Sequence, residues 1–136
     1  MLAGRTLCLD VGERRVGVAL SDAEGWLAAP LEVIVRRDAA HDFGRVAELA
    51  RRHEVARVVV GLPRTLSGEI GPQAKRVQRW TARLQSHLAV PIVYWDERYS
   101  TAEAERRLAA IPSRRRPPLD AAAAAVILQD YLDADR

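Results

Sequence analysis

The sequence predicts an α/β domain: a mixed five-stranded sheet of order 3-2-1-4-5, with helices on both faces. Three observations carry this. The chain opens with three extended segments on short connections, an antiparallel meander. Strands then alternate with helices, which implies parallel crossovers. The fourth strand, Arg57 to Val60, is wholly apolar after its first residue, as a strand covered on both sides must be. The first strand falls in the middle of such a sheet.

Taken in order, Thr6 to Asp10 is the first strand, with Leu7 and Leu9 on one face and Thr6, Cys8 and Asp10 on the other. Arg15 to Ser21 is the second, with Val16, Val18 and Leu20 alternating. Gly12 and Gly17 allow the turn and a close approach of backbone. Ala28 to Val35 is the third; Pro30 near its start marks an edge or a bulge. Asp38 opens a helix to about Glu54, buried along Phe43, Val46, Ala47 and Ala50. The fourth strand ends in Gly61-Leu62-Pro63, and a polar loop runs from Arg64 to Gly71. Pro72 suits the first turn of a helix reaching about Leu88, with Arg76, Arg79 and Arg83 recurring on one face. Pro91 to Trp95 is the fifth strand, followed at once by Asp96-Glu97-Arg98. Ser100 with Glu103 makes a capping box for a helix that ends by Ile111-Pro112. Ser113 to Pro118 is a basic linker, and Leu119 to Leu132 a last helix.

The chain of 136 residues reads as one domain, residues 1–136. No apolar run approaches the roughly 18 residues of a membrane helix, and no basic-then-apolar leader is visible. These features predict a soluble, cytoplasmic protein with no membrane partner. Cys8, the single cysteine, lies inside a strand and reads as a small buried residue rather than a nucleophile. Of 21 basic residues only Lys75 is a lysine, and the net charge is +3. Arginine-rich composition suits forked contacts to phosphate and hence a nucleic-acid partner.

Asp10 closes an apolar strand, where an ionised acid is costly unless paired. The carboxyl ends of parallel strands open on one edge of the sheet, so Asp10 meets the end of the fifth strand. Asp96 and Glu97 point to opposite faces if that strand continues, and the pattern leaves open which of them faces Asp10. Asp120 lies on the helical line Asp120, Ala124, Ile127, Leu128, Tyr131, the face turned to the sheet, with Gln129 and Asp133 on the opposite side. Three such carboxylates repel one another and call for cations; Mg²⁺ or Mn²⁺ suits oxygen ligands and leaves waters for a phosphate. His41, His53 and His87 show no metal-like pairing, which argues against zinc. Plainer roles exist. Asp10 could cap the turn at Gly12, and Asp120 suits the dipole of any helix start. Candidates for phosphate contacts are Arg14 and Arg15 in the first turn, Arg76 and Arg79 on the helix, Arg98 beside the acids, and Arg114, Arg115 and Arg116 in the linker. Trp26, Trp80 and Trp95 read as packing residues.

Four motifs stand in order: Leu9-Asp10-Val11-Gly12-Glu13-Arg14-Arg15-Val16-Gly17-Val18-Ala19-Leu20-Ser21-Asp22; Gly61-Leu62-Pro63 with Ser67-Gly68-Glu69-Ile70-Gly71; Asp96-Glu97-Arg98-Tyr99-Ser100-Thr101; and the helix from Asp120 to Leu132. Together they resemble the RuvX/YqgF family of RNase H-like nucleases over nearly the whole chain. Glu13 stands where that family often has lysine, and Ser67 where it often has aspartate, which puts a loop acid's role in doubt here. The resemblance implies an RNase H-like fold and metal-dependent cleavage of phosphodiester bonds. It implies Asp10, Glu97 and Asp120 as metal-binding acids, favouring Glu97 over Asp96. Asp10 would then bridge two divalent ions roughly 4 Å apart. It also implies maturation of the 5′ end of precursor 16S ribosomal RNA, with kinship to Holliday junction resolvases, and it allows a homodimer. Two rivals are an actin-like phosphotransferase, suggested by the Asp10-Val11-Gly12 turn, and a non-catalytic RNA-binding assembly factor.

Overall fold

The computed structural model describes residues 3–64, 67–97 and 119–134. The helix expected from Ser100, the Ser113–Pro118 linker, Arg98, Arg114, Arg115 and Arg116 lie outside the described residues. The elements are β1 (Arg5–Val11), β2 (Arg15–Ser21), β3 (Ala28–Val35), α1 (Ala39–Arg52), β4 (Val55–Leu62), α2 (Pro72–Gln85), β5 (Ile92–Asp96) and α3 (Leu119–Ala134). The sheet order is β3-β2-β1-β4-β5, the order expected. β1 is antiparallel to β2 and parallel to β4, and β4 is parallel to β5.

Alternation along the strands makes two cores, one on each face of the sheet. Leu7, Leu9, Val16, Val18, Val58 and Val60 face α1 and α2, meeting Phe43, Val46, Val77, Trp80 and Leu84. Cys8, Ala19 and Val59 face α3, meeting Ala124, Ile127, Leu128 and Leu132. The central strands β1 and β4 are therefore buried on both sides, which is why β4 carries almost no polar residue.

Local chemistry sets the boundaries. Asp38 caps α1, its carboxylate accepting from His41 N–H at 2.8 Å. The helix stops at Arg52, before the expected Glu54, because Glu54 takes a left-handed φ of 52°. Pro30 lies on the outermost strand and at a bulge: Ala19 pairs with Pro30 but Val18 with Glu32, so Leu31 is extra. Arg45 clamps this edge to α1 by a forked pair with Glu32, with Nε at 2.7 Å, and holds the Glu32 carboxyl below its ordinary range.

Gln129 corrects the amphipathic reading of the last helix. It is buried rather than turned to water. Its side chain accepts from Ala28 N–H at 3.0 Å and donates to Trp26 C=O at 2.9 Å, tying α3 to the start of β3. α3 is apolar nearly all round, as a helix covered on most sides must be, so its sequence carries little directional signal. Trp80 packs as expected, whereas Trp26 is 41% exposed. Among the described residues no helix is long and apolar enough to cross a membrane.

Candidate functional site

Asp10 ends the α3-facing row of β1 that begins with Thr6 and Cys8. Its partner across the β1–β2 ladder is Gly17. A Cβ on Gly17 would lie 2.0 Å from the carbonyl oxygen of Asp120 and 2.4 Å from its carbonyl carbon. The first turn of α3 thus rests directly on the backbone opposite Asp10, and only glycine leaves room for it. That contact sets Asp120 beside Asp10.

The second acid arrives from β5. Val93 and Trp95 face α3, and Glu97 continues that alternation one residue beyond the strand. Gly61, the partner of Trp95, clears space for it: a Cβ there would lie 2.5 Å from Glu97 Oε1 and 3.0 Å from Ile127 Cδ1. The Glu97 carboxyl hydrogen-bonds that of Asp10. Asp96 pairs with Leu62 at the end of β5, one residue out of phase with the row that points to Asp10. The structure therefore brings Asp10 and Glu97 into contact with Asp120 adjoining, and leaves Asp96 aside.

The electrostatics follow from burial and crowding. Loss of water pushes the Asp10 carboxyl above its ordinary range; the hydrogen bond to Glu97 opposes this and the Asp120 charge adds to it. Glu97 is pushed up to about 8, first by burial and then by the Asp10 charge. Two carboxyls in contact favour one proton shared by the pair, and both stand above their ordinary range. Cys8 lies directly beneath, fully buried; burial and the two acids push its thiol well up, which excludes a thiolate nucleophile.

The donor set fits a hard divalent cation. All three groups offer oxygen only, the ligand type that hard divalent cations favour. Among the described residues no three Asp, Glu, His or Cys side chains stand close enough together to form a metal-holding group. Mg²⁺ or Mn²⁺ needs only one or two carboxylates and completes its shell with water and substrate phosphate, and the Asp10–Glu97 pair meets that need.

The arginines divide. Arg14 and Arg15 are exposed on the β1–β2 turn that follows Asp10. Arg76 and Arg79 are exposed on α2, across the sheet from α3 and the acids. The sequence reading missed Arg36, which donates from Nη1 to Gly12 C=O at 2.6 Å and from its backbone N–H to Arg14 C=O at 2.8 Å, pinning the turn. It foresaw a close approach at Gly17 but not the space cleared at Gly61, which depends on a contact remote in sequence.

The family model RuvX, described as Holliday junction resolvase, matches residues 4–134. A protein of Symbiobacterium thermophilum named "Putative pre-16S rRNA nuclease" is 50% identical over 129 residues, covering 93% of this chain and 90% of the relative. One of the same name from Roseiflexus sp. is 45% identical, covering 98% and 96%. Among solved structures, Thermus thermophilus RuvC in complex with a Holliday junction substrate superposes with a TM-score of 0.65 at 17% identity, covering 97% of this chain and 95% of that one. At that identity the likeness speaks for the fold, which is that of RuvC.

Proposed function

The chain belongs to the RuvX family, and from that premise we propose that it is a divalent-metal-dependent endonuclease acting in the cytoplasm on the 5′ end of precursor 16S ribosomal RNA. The observation that carries this reading is the carboxyl pair of Asp10 and Glu97, with Asp120 brought beside it by Gly17. The substrate class comes from the names of the relatives at 45–50% identity.

In this reading Asp10, Glu97 and Asp120 hold the cation. When bound, it supplies positive charge to the phosphoryl oxygens and lowers the pKa of an attacking water. The pair of Asp10 and Glu97 gives up its shared proton, so that both become carboxylate ligands. Gly17 and Gly61 fix the acids on rigid strands and a helix start, so little ordering is left for the moment of reaction. Arg14 and Arg15, on the turn beside the acids, meet the backbone phosphates and set the strand across the site. No side-chain nucleophile takes part.

A second reading, resolution of four-way DNA junctions, is favoured by the family description and by the RuvC neighbour solved with such a junction. Paired cuts there would call for two sites in a homodimer. One experiment separates the readings. Pure protein is incubated with Mg²⁺ or Mn²⁺ and either precursor 16S RNA or a four-way junction, beside Asp10→Asn and Glu97→Gln. Cutting of the RNA at its 5′ leader, abolished in both variants with binding retained, is the expected result. Cutting of the junction alone would transfer the function to DNA. Binding without cutting of either substrate would make the protein a non-catalytic assembly factor.

A further inference from the structure

Asp10 and Val11 are successive residues of one strand and face opposite sides of the sheet. On the Val11 side, away from the acids, a cleft of about 390 Å³ opens between the β1–β2 turn and α2. Four arginines line it, Arg36, Arg76, Arg79 and Arg83, with Trp80 on its wall and Glu13 as its single acid. An adjoining hollow of about 270 Å³ shares Arg36, Arg83, Trp80 and Glu13 and adds Arg37 with Asp38 and Asp42 toward the start of α1, so its lining is of mixed charge.

Two of these guanidinium groups are held in place. Arg36 lies over the Trp80 ring at 5.9 Å from its centroid, and its Nη1 is fixed by Gly12 C=O. Arg83 lies over the Phe43 ring at 5.5 Å. Phe43 and Trp80 are themselves buried and tilted against each other at 5.2 Å, so both arginines are anchored to the core. Arg76 and Arg79 are exposed, and among the described residues their side chains enter no ion pair. Arg36 stands 3.9 Å from Asp42 and Glu13 lines the cleft, so the four guanidinium groups still outnumber the nearby acids and favour an entering anion, whose phosphate oxygens the planar fork of arginine matches in pairs. With Trp80 only 7% exposed, the ring serves as a platform for Arg36 and leaves no face for a base. The cleft is thus built for phosphate rather than for base edges.

We propose that this cleft binds phosphates of the nucleic-acid strand flanking the scissile bond, so that substrate crosses the sheet edge at the β1–β2 turn, from the acids on one face to the arginines on the other. The inference rests on the nuclease reading and extends it by naming a second contact region, in which Arg36 and Arg83 join Arg76 and Arg79.

The test is equilibrium binding of labelled precursor RNA and of a labelled four-way junction, without divalent cation, across a salt series. Arg76→Gln with Arg79→Gln is compared with Arg51→Gln with Arg52→Gln, an equal loss of charge on exposed positions of α1. Arg83→Gln serves as a third variant, and circular dichroism checks each fold. The cleft pair is expected to flatten the dependence of log K on log salt by about 1 per arginine removed, and Arg83→Gln by about 1, with the α1 pair unchanged. Equal losses from both pairs, or an unchanged slope in the cleft variants, would overturn the cleft while leaving the nuclease reading intact. Loss of inorganic phosphate or mononucleotide binding without loss of RNA or junction binding would also overturn it, as a small-anion site. Failure of the wild-type protein to bind either nucleic acid would overturn both.

Discussion

Glu97 and Asp10 show what single residues contribute. Their hydrogen bond is a proton kept in the folded state that the unfolded chain releases near the ordinary glutamate value of 4.5. Because the folded-state pKa is raised, to about 8 for Glu97, this contribution is present at low pH and is lost as pH rises from about 4.5 through about 8. Both groups are partly open to water, which screens them, so the effect expected is about 1 kcal/mol, or about 3–5 °C in melting temperature for a chain of this length. In cation-free buffer the wild type should therefore lose about that much between pH 5 and pH 8.5 relative to Asp10→Asn, which keeps a neutral side chain throughout. Adding Mg²⁺ or Mn²⁺ at pH 8 should raise the melting temperature of the wild type and leave Asp10→Asn unmoved. Parallel melting curves for the two proteins across this range would refute the shared proton, and an equal cation response would refute the metal site.

Among the elements, α3 and β5 deliver acids only because glycines clear their paths. Gly17→Ala sets a methyl against the backbone of Asp120, which cannot step aside as a side chain can. Gly61→Ala meets the mobile end of Glu97 and the Ile127 methyl, both of which can yield. Gly17→Ala should thus cost more than about 3 kcal/mol in denaturant unfolding, and Gly61→Ala about 1–3 kcal/mol. Adding Ile127→Val to Gly61→Ala should recover part of the loss, a coupling that an additive double-mutant cycle would disprove. This arrangement also marks how far sequence could be read. The strands announced themselves by period-two alternation and the sheet order by the run of connections, so Asp10 could be assigned to the sheet edge. Asp96 and Glu97 could not be told apart, because the choice turns on whether alternation persists past the end of β5, and Gly61 speaks to that only once β4 and β5 are paired in register. Gln129 was misplaced because α3, apolar on most sides, offers no polar face against which to orient it.

At the scale of the molecule, one sheet separates two cores and two charge environments. The core under α1 and α2 supports the arginine cleft; the core under α3 supports the acids. Ile34 belongs to the first and Ile127 to the second, and each is nearly fully buried. Ile34→Val and Ile127→Val should each cost about 0.5–1.5 kcal/mol in denaturant unfolding. Their effects should add within about 0.5 kcal/mol, because the sheet lies between them and they share no partner. Cation linkage should nonetheless tell them apart. Ile127 packs beside Gly61 and Glu97, so its truncation loosens the wall behind the acid and should weaken the melting-temperature rise produced by Mn²⁺. Ile34 touches nothing on that face and should leave the rise unchanged at equal loss of stability. A Mn²⁺ response that followed stability alone, falling alike in both variants, would show that the acids depend on the molecule as a whole rather than on the α3 side of it.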